Sequence, residues 1–275
     1  MVYPVLRNLQ YDIATQRSCQ PIGSALLQVR KRSKKEIAMI ETTLLLCCFA
    51  FGAGLIDAAV GGGGLIQVPA LFNFLPGTLP ATLLGSNKLT GACGTALAAK
   101  SWASRVSVPW GLVLPAAGTA FLMSFCGAMA VSAVPTAVMR PLVLVLIIGM
   151  AIYTFRKKDF GAIRKPLHIG ARERILALVI GGAIGFYDGL FGPGTGSFLI
   201  FLFIRCYALD FLQASASAKV VNLATNVAAL TFFIPTGKVL YAVALPMAVC
   251  NMLGAVVGTR LAIRNGTAFV RVLFL

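Results

Sequence analysis

Long apolar stretches alternate along this chain with short polar or basic ones, and the apolar stretches have the length of membrane spans. After a polar start, apolar sequence runs from about Thr42 into Gly61-Gly-Gly-Gly64, continues over 65–75 and turns at Pro76-Gly-Thr-Leu-Pro80. Further apolar runs cover about 81–99, 108–131 and 137–155, then 175–204, 212–235 and 238–262. A helix needs about 20 apolar residues to cross a hydrocarbon core of about 30 Å. In lipid, only helices and closed barrels satisfy every backbone polar group. The pattern therefore predicts an all-α polytopic membrane protein. The piece 65–75 reaches only about 16 Å, so it predicts half a helix, re-entrant or completing a broken span.

The pattern repeats. Gly54-Leu-Ile-Asp57-Ala-Ala-Val-Gly61 returns as Gly185-Phe-Tyr-Asp188-Gly-Leu-Phe-Gly192, 131 positions later. The same offset pairs Ser86 and Lys88 with Ser217 and Lys219, Leu114-Pro115 with Leu245-Pro246, Gly127 with Gly258, and Arg140 with Arg271. Chance in an apolar composition does not place Asp, Lys, Pro and Arg at one spacing. The chain is expected to hold two homologous four-helix repeats, each with a glycine-broken first span. The first covers 39–155 and the second 175–275, joined by a basic loop over 156–174. The last span is expected to be incomplete at Leu275. Residues 1–38 form a basic, polar extension to which no fold is assigned; Met39 is a candidate start, a cytoplasmic basic tail the alternative.

Composition sharpens this picture. The chain is 58% hydrophobic and only 12% charged, with a net charge of +16. Seven of the 24 Lys and Arg precede position 36 and seven more lie between Arg156 and Arg174, separated by apolar runs. That is the distribution expected of cytoplasmic segments, so it excludes nucleic acid as a partner and leaves the lipid bilayer. The N-terminus and the 156–174 loop are placed in the cytoplasm, with four crossings in the first half and the half-helix uncounted. Arg260, Arg264 and Arg271 then approach the outer face, against the rule. The cysteines form no CxxC, and His168 sits in the basic loop, so no metal and no cofactor is expected.

Four charged residues lie deep inside the apolar runs, away from their ends, where charge is costly and functional by default. Asp57 and Asp188 precede the glycine breaks; they are candidates for proton coupling, or for capping the half-helix or pairing with a lysine. Lys88 and Lys219 lie too deep to snorkel easily and need an anion, a carboxylate or a carbonyl as partner. Ser86, Asn87 and Asn222 stand near them as further oxyanion ligands. A half-helix starting after each break would aim free N–H groups at an anion, which adds Gly62, Gly63, Gly64, Gly194, Thr195 and Gly196 to the candidate binding set. By contrast, Gly254-Ala-Val-Val-Gly258 reads as close helix packing.

The run Ala53-Gly-Leu-Ile-Asp-Ala-Ala-Val-Gly-Gly-Gly-Gly-Leu-Ile-Gln-Val-Pro-Ala-Leu71 resembles the TauE/SafE sulfite-exporter family, as do Ser86-Asn-Lys-Leu89, 185–196 and Ala218-Lys-Val-Val-Asn222. The resemblance covers about 42–275 and is nearest a bacterial branch whose members mostly lack an assigned substrate. It implies an inner-membrane protein of about eight helices in two repeats, moving sulfite, sulfonates or related small organosulfur anions. A homo-oligomer is compatible with it. A passive anion channel is the alternative function. An intramembrane enzyme is the alternative of another class, disfavoured because the spans hold no HExxH and no GxSxG.

Overall fold

The computed structural model describes residues 22–149, apart from 136, 140, 146 and 147, and residues 169–274. Residues 1–21 of the basic extension, most of the central loop with His168, and the end of the span expected at 137–155 lie outside the described residues. The chain divides into two units, Met1–Leu44 and Leu45–Leu275, and the second holds the candidate site and the helix packing around it.

Among the described residues all the elements are helices: α1 Ile22–Val60, α2 Gly63–Phe74, α3 Pro80–Ala103, α4 Trp110–Ala133, α5 Ala171–Leu190, α6 Thr195–Tyr207, α7 Phe211–Phe233 and α8 Tyr241–Phe274. Helical residues also occur between 137 and 149. The first helix begins well inside the basic, polar extension. Local chemistry explains most of the boundaries. Helix α1 stops where Gly61 takes a left-handed φ of 84°, and α5 stops before Gly192 with φ 89°. Proline at the first position of α3 has its φ already set for a helix and no N–H to waste. The Asp210 carboxylate caps α7 by accepting from the Gln213 N–H at 2.8 Å. At the start of α5, the Gly170 N–H donates to the Glu173 carboxylate at 3.0 Å. Gly266, with φ 73° and ψ −168°, interrupts α8.

Helices α2 and α6, of 12 and 13 residues, reach about 18–20 Å and are the half-helices expected after the two breaks. Among the described residues, four segments are long and apolar enough to cross a membrane: Met39–Val60, Trp110–Ala133, Phe211–Phe233 and Tyr241–Gly266. Helix starts keep the spacing read from the sequence. Pro80 and Phe211, which open α3 and α7, are 131 positions apart, as are Trp110 and Tyr241, which open α4 and α8.

Polar and apolar faces are arranged inside out relative to a water-soluble protein. Leu114, Leu122, Val179, Val249 and Leu253 are exposed on the outer helices. Meanwhile α3 buries Ser86, Asn87, Lys88, Thr90 and Thr95, and α7 buries Ser215, Ser217, Lys219, Asn222 and Asn226. Lipid is the solvent that makes the exposed face inexpensive, and helices rich in buried polar groups must then meet one another.

Small residues let them meet. A Cβ on Gly254 would lie 2.0 Å from the Phe51 carbonyl oxygen, and one on Gly258 2.2 Å from that of Leu55, so the 254–258 pair is a close-packing face of α8 on α1. Gly185 and Gly189 meet Ala120 and Ser124 of α4 just as closely. Trp102, wholly buried, donates its indole N–H to the Ala58 carbonyl at 2.9 Å and ties α3 to α1.

Candidate functional site

The two breaks touch each other. A Cβ on Gly61 would stand 2.4 Å from the carbonyl carbon of Gly196, and one on Gly196 would stand 2.6 Å from the Gly61 Cα. The Ser197 N–H donates to the Gly61 carbonyl at 3.1 Å and its hydroxyl to the Val60 carbonyl at 3.2 Å. The end of α1 is thus received by the start of α6, with no side chain between the backbones.

Around this contact lie two ion pairs, each joining one half of the chain to the other. Lys88 Nζ sits 2.6 Å from Asp188 Oδ2. Lys219 Nζ sits 2.9 Å from Asp57 Oδ2 and also donates to the Asp57 backbone carbonyl. The remaining carboxylate oxygens face the half-helices. Asp57 Oδ1 accepts from the Gly63 N–H at 3.3 Å, and Asp188 Oδ1 accepts from the Thr195 hydroxyl at 2.6 Å. Asp57 therefore takes a backbone N–H at the start of α2 and Asp188 a side-chain hydroxyl at the start of α6, and each pairs with a lysine at once. A buried charge needs such company, because desolvation alone costs several kcal/mol per ion.

Between the pairs is a cavity of about 40 Å³. At roughly 10–15 Å³ per water this is space for about three waters. Of the residues singled out from sequence, Asp57, Gly63, Gly64, Asn87, Lys88, Asp188, Thr195, Gly196 and Asn222 line it. Gly62, Ser86, Gly194 and Lys219 lie off its wall. Ser86 has other work: its hydroxyl donates to the Thr82 carbonyl at 2.7 Å and accepts from the Leu240 N–H at 2.8 Å. Lys219 is wholly buried behind Asp57, which keeps 17% of its side chain exposed.

The wall also holds Gln67, Thr95, Asn226 and Asn251, outside the candidate set. Gln67 and Asn251 are lone amides in apolar spans, and that isolation is the signal that marks them in the sequence. Neither has a counterpart at the repeat offset, where Phe198 and Ala120 stand. Among the described residues, no group of three or more His, Cys, Asp or Glu is placed to hold a metal ion.

The family model described as sulfite exporter TauE/SafE matches residues 46–275, which contain both breaks, both ion pairs and the cavity. The chain belongs to the TauE/SafE family. Relatives of this TauE/SafE chain include a probable membrane transporter protein of a Sinorhizobium species, 36% identical over 222 residues that cover 81% of this chain and 84% of that protein. The probable membrane transporter protein YfcA of Escherichia coli is 35% identical over 237 residues, covering 85% and 86%. A probable membrane transporter protein of Haemophilus influenzae is 31% identical over 237 residues, covering 84% and 89%. No solved structure matches the chain. Membership in the TauE/SafE family places the protein among multi-pass membrane transporters and not among enzymes.

Proposed function

We propose that this transporter moves a small oxyanion, sulfite or a compact sulfonate, through the cavity between the two half-helices. The observation that carries the reading is a donor-rich cavity inside an apolar helical bundle, at a place where two helices start. The α2 and α6 starts direct N–H groups and positive dipole ends to this region, and the Lys88 ammonium stands on its wall. The cavity's small size points to a compact anion.

Charge bookkeeping supports coupling to protons. Each lysine is matched by an aspartate, so the site is neutral when empty and an anion entering it brings uncompensated charge. Protonation of Asp188 removes the partner of Lys88 and leaves its ammonium to the anion; loss of the proton restores the pair and expels the anion. Asp57 and Lys219 are related in the same manner at the facing break. In this reading Lys88 contacts substrate and Lys219 holds the break in place through Asp57.

Two halves derived from one ancestor fit this arrangement. Lys88 with Asp188 and Lys219 with Asp57 are the same pair displaced by 131, and so are the contacts of Gly54 with Asn251 and Gly185 with Ala120. In the same proposal the protein resides in a bacterial inner membrane with the 156–174 loop in the cytoplasm.

The test is flux of labelled sulfite into inverted vesicles with and without an imposed proton gradient. Uphill uptake that a protonophore abolishes is expected, and Lys88→Ala should lower it at least about tenfold, as for loss of a charged hydrogen bond. Flux that follows only its own gradient would make the protein a channel. Vesicles that move neither sulfite nor methanesulfonate faster than vesicles lacking the protein would sink the oxyanion reading.

A further inference from the structure

We infer that Gln67 donates a hydrogen bond to the transported oxyanion and that Asn251 aims it. The inference rests on the oxyanion reading above and names a recognition group within that site. Gln67 lies on α2, just over one turn past its start, is 2% exposed, and lines the cavity. Its Oε1 accepts from Asn251 Nδ2 at 3.2 Å, whereas its buried Nε2 has no hydrogen-bond partner.

The direction of that amide follows from a chain of forced choices. Asn251 Nδ2 also faces the Ala50 carbonyl at 3.1 Å. A backbone carbonyl only accepts, so Asn251 must turn its nitrogen and not its oxygen towards α1. That same nitrogen then meets Gln67 with a hydrogen, and Gln67 must answer with its oxygen. Its –NH₂ is left without a partner, on a side chain that lines the cavity. Gly94 leaves room for this arrangement, because a Cβ there would stand 1.9 Å from Asn251 Oδ1.

A buried donor left unmet is costly, and native proteins keep few such groups. In a site of this size and polarity, an acceptor oxygen of the substrate meets this one. The amide also makes recognition one-sided. The lysines, aspartates and breaks recur at the 131 offset, but Gln67 and Asn251 correspond to Phe198 and Ala120. The cavity therefore offers this amide donor from one side, and a substrate with a distinct oxygen face is held in one orientation.

Two variants separate this role from packing. Gln67→Glu keeps an oxygen for Asn251 but puts an acceptor where the donor was. The double variant Gln67→Met with Asn251→Leu removes both amides together, so neither is left facing an apolar side chain in place of the other, and only the Ala50 carbonyl loses a side-chain donor. Sulfite, sulfate and methanesulfonate are titrated onto purified full-length protein in detergent, and melting temperature is followed with and without each. Gln67→Glu should abolish sulfite binding. The double variant should melt near the wild type without ligand, yet bind sulfite about ten- to a hundredfold more weakly, the loss expected for a hydrogen bond to a charged group. Wild-type affinity in either variant overturns the assignment of Gln67 and leaves the oxyanion reading standing. A wild-type protein indifferent to all three anions overturns that reading and the Gln67 assignment with it.

Discussion

The two ion pairs use the same residue types, with corresponding members 131 positions apart, yet they are not equivalent. Lys88 and Asp188 are both 2% exposed, and Lys88 has Asp188 alone as a charged partner among the described residues. Lys219 is more deeply buried but has two acceptors on one residue, the Asp57 carboxylate and the Asp57 carbonyl. Their second contacts differ too. Asp188 takes a side-chain hydroxyl from Thr195, while Asp57 takes a backbone N–H from Gly63. Residue 64 stands at the repeat position of Thr195 and is glycine, so the first half has no hydroxyl to give. The difference teaches that two pairs of the same residue types can stand in unequal surroundings. Lys88 lines the cavity, whereas Lys219 lies off its wall, behind Asp57.

The sharpest way to break the comparison is to destroy the contact that both halves share. Gly61→Ala forces an L residue into φ 84° and drives a Cβ against the Gly196 backbone, and Gly196→Ala makes the reciprocal clash. Each should cost about 3–5 kcal/mol or prevent folding, read as yield and thermal unfolding in detergent. Near-normal stability in either would mean that the breaks do not touch.

Next come the pairs themselves. Asp188→Asn strands the Lys88 ammonium in a buried site and should cost about 3–5 kcal/mol. Asp57→Asn leaves Lys219 its carbonyl and should cost about 1–3 kcal/mol. Melting temperatures of the two variants decide the matter, and a reversed order would contradict the division of labour.

A smaller effect tests the second contacts. Thr195→Val removes the hydroxyl from Asp188 and should cost about 1.5–2 kcal/mol, while Thr195→Ser keeps it and should stay within about 0.5 kcal/mol. Equal losses from the two would assign Thr195 to packing. The smallest effect is expected at Gly62, whose φ of −104° suits any residue. The nearest atoms to a Cβ there are side-chain atoms at 3.6–3.8 Å, an ordinary contact. Gly62→Ala should change stability by less than about 0.5 kcal/mol. A large loss there would show that the whole glycine run, and not Gly61 alone, carries the break.

Much of the fold was legible in the residues. Expected spans at about 81–99 and 108–131 correspond to α3 and α4, and the short piece after the first break corresponds to α2. The beginning of α1 was not legible, because a basic, weakly apolar stretch carries no span signal although nothing in it forbids helix. Nine of the candidate site residues line one cavity. Lipid tolerates a charge or a helix break inside an apolar run only where protein covers it or it borders a cavity, so these residues had to converge. Ser86 was misleading for a physical reason. A serine beside a buried lysine looks like a ligand, but a helical hydroxyl also bonds the carbonyl one turn back, and here it does.

What the sequence alone determined about this protein is therefore what is local or strictly periodic. It set the apolar runs, the chain reversals at Gly and Pro, the 131-residue spacing and the four charges that lipid will not tolerate unpaired. Only the tertiary structure decided that Lys88 reaches Asp188 and Lys219 reaches Asp57, across 100 and 162 positions. Only it placed Gln67 against Asn251, across 184 positions. Helix formation is governed by residues within a turn or two of one another. Which side chains meet is governed by how whole helices cross, and that depends on backbone contacts such as Gly61 on Gly196, where the absence of a side chain is the determinant.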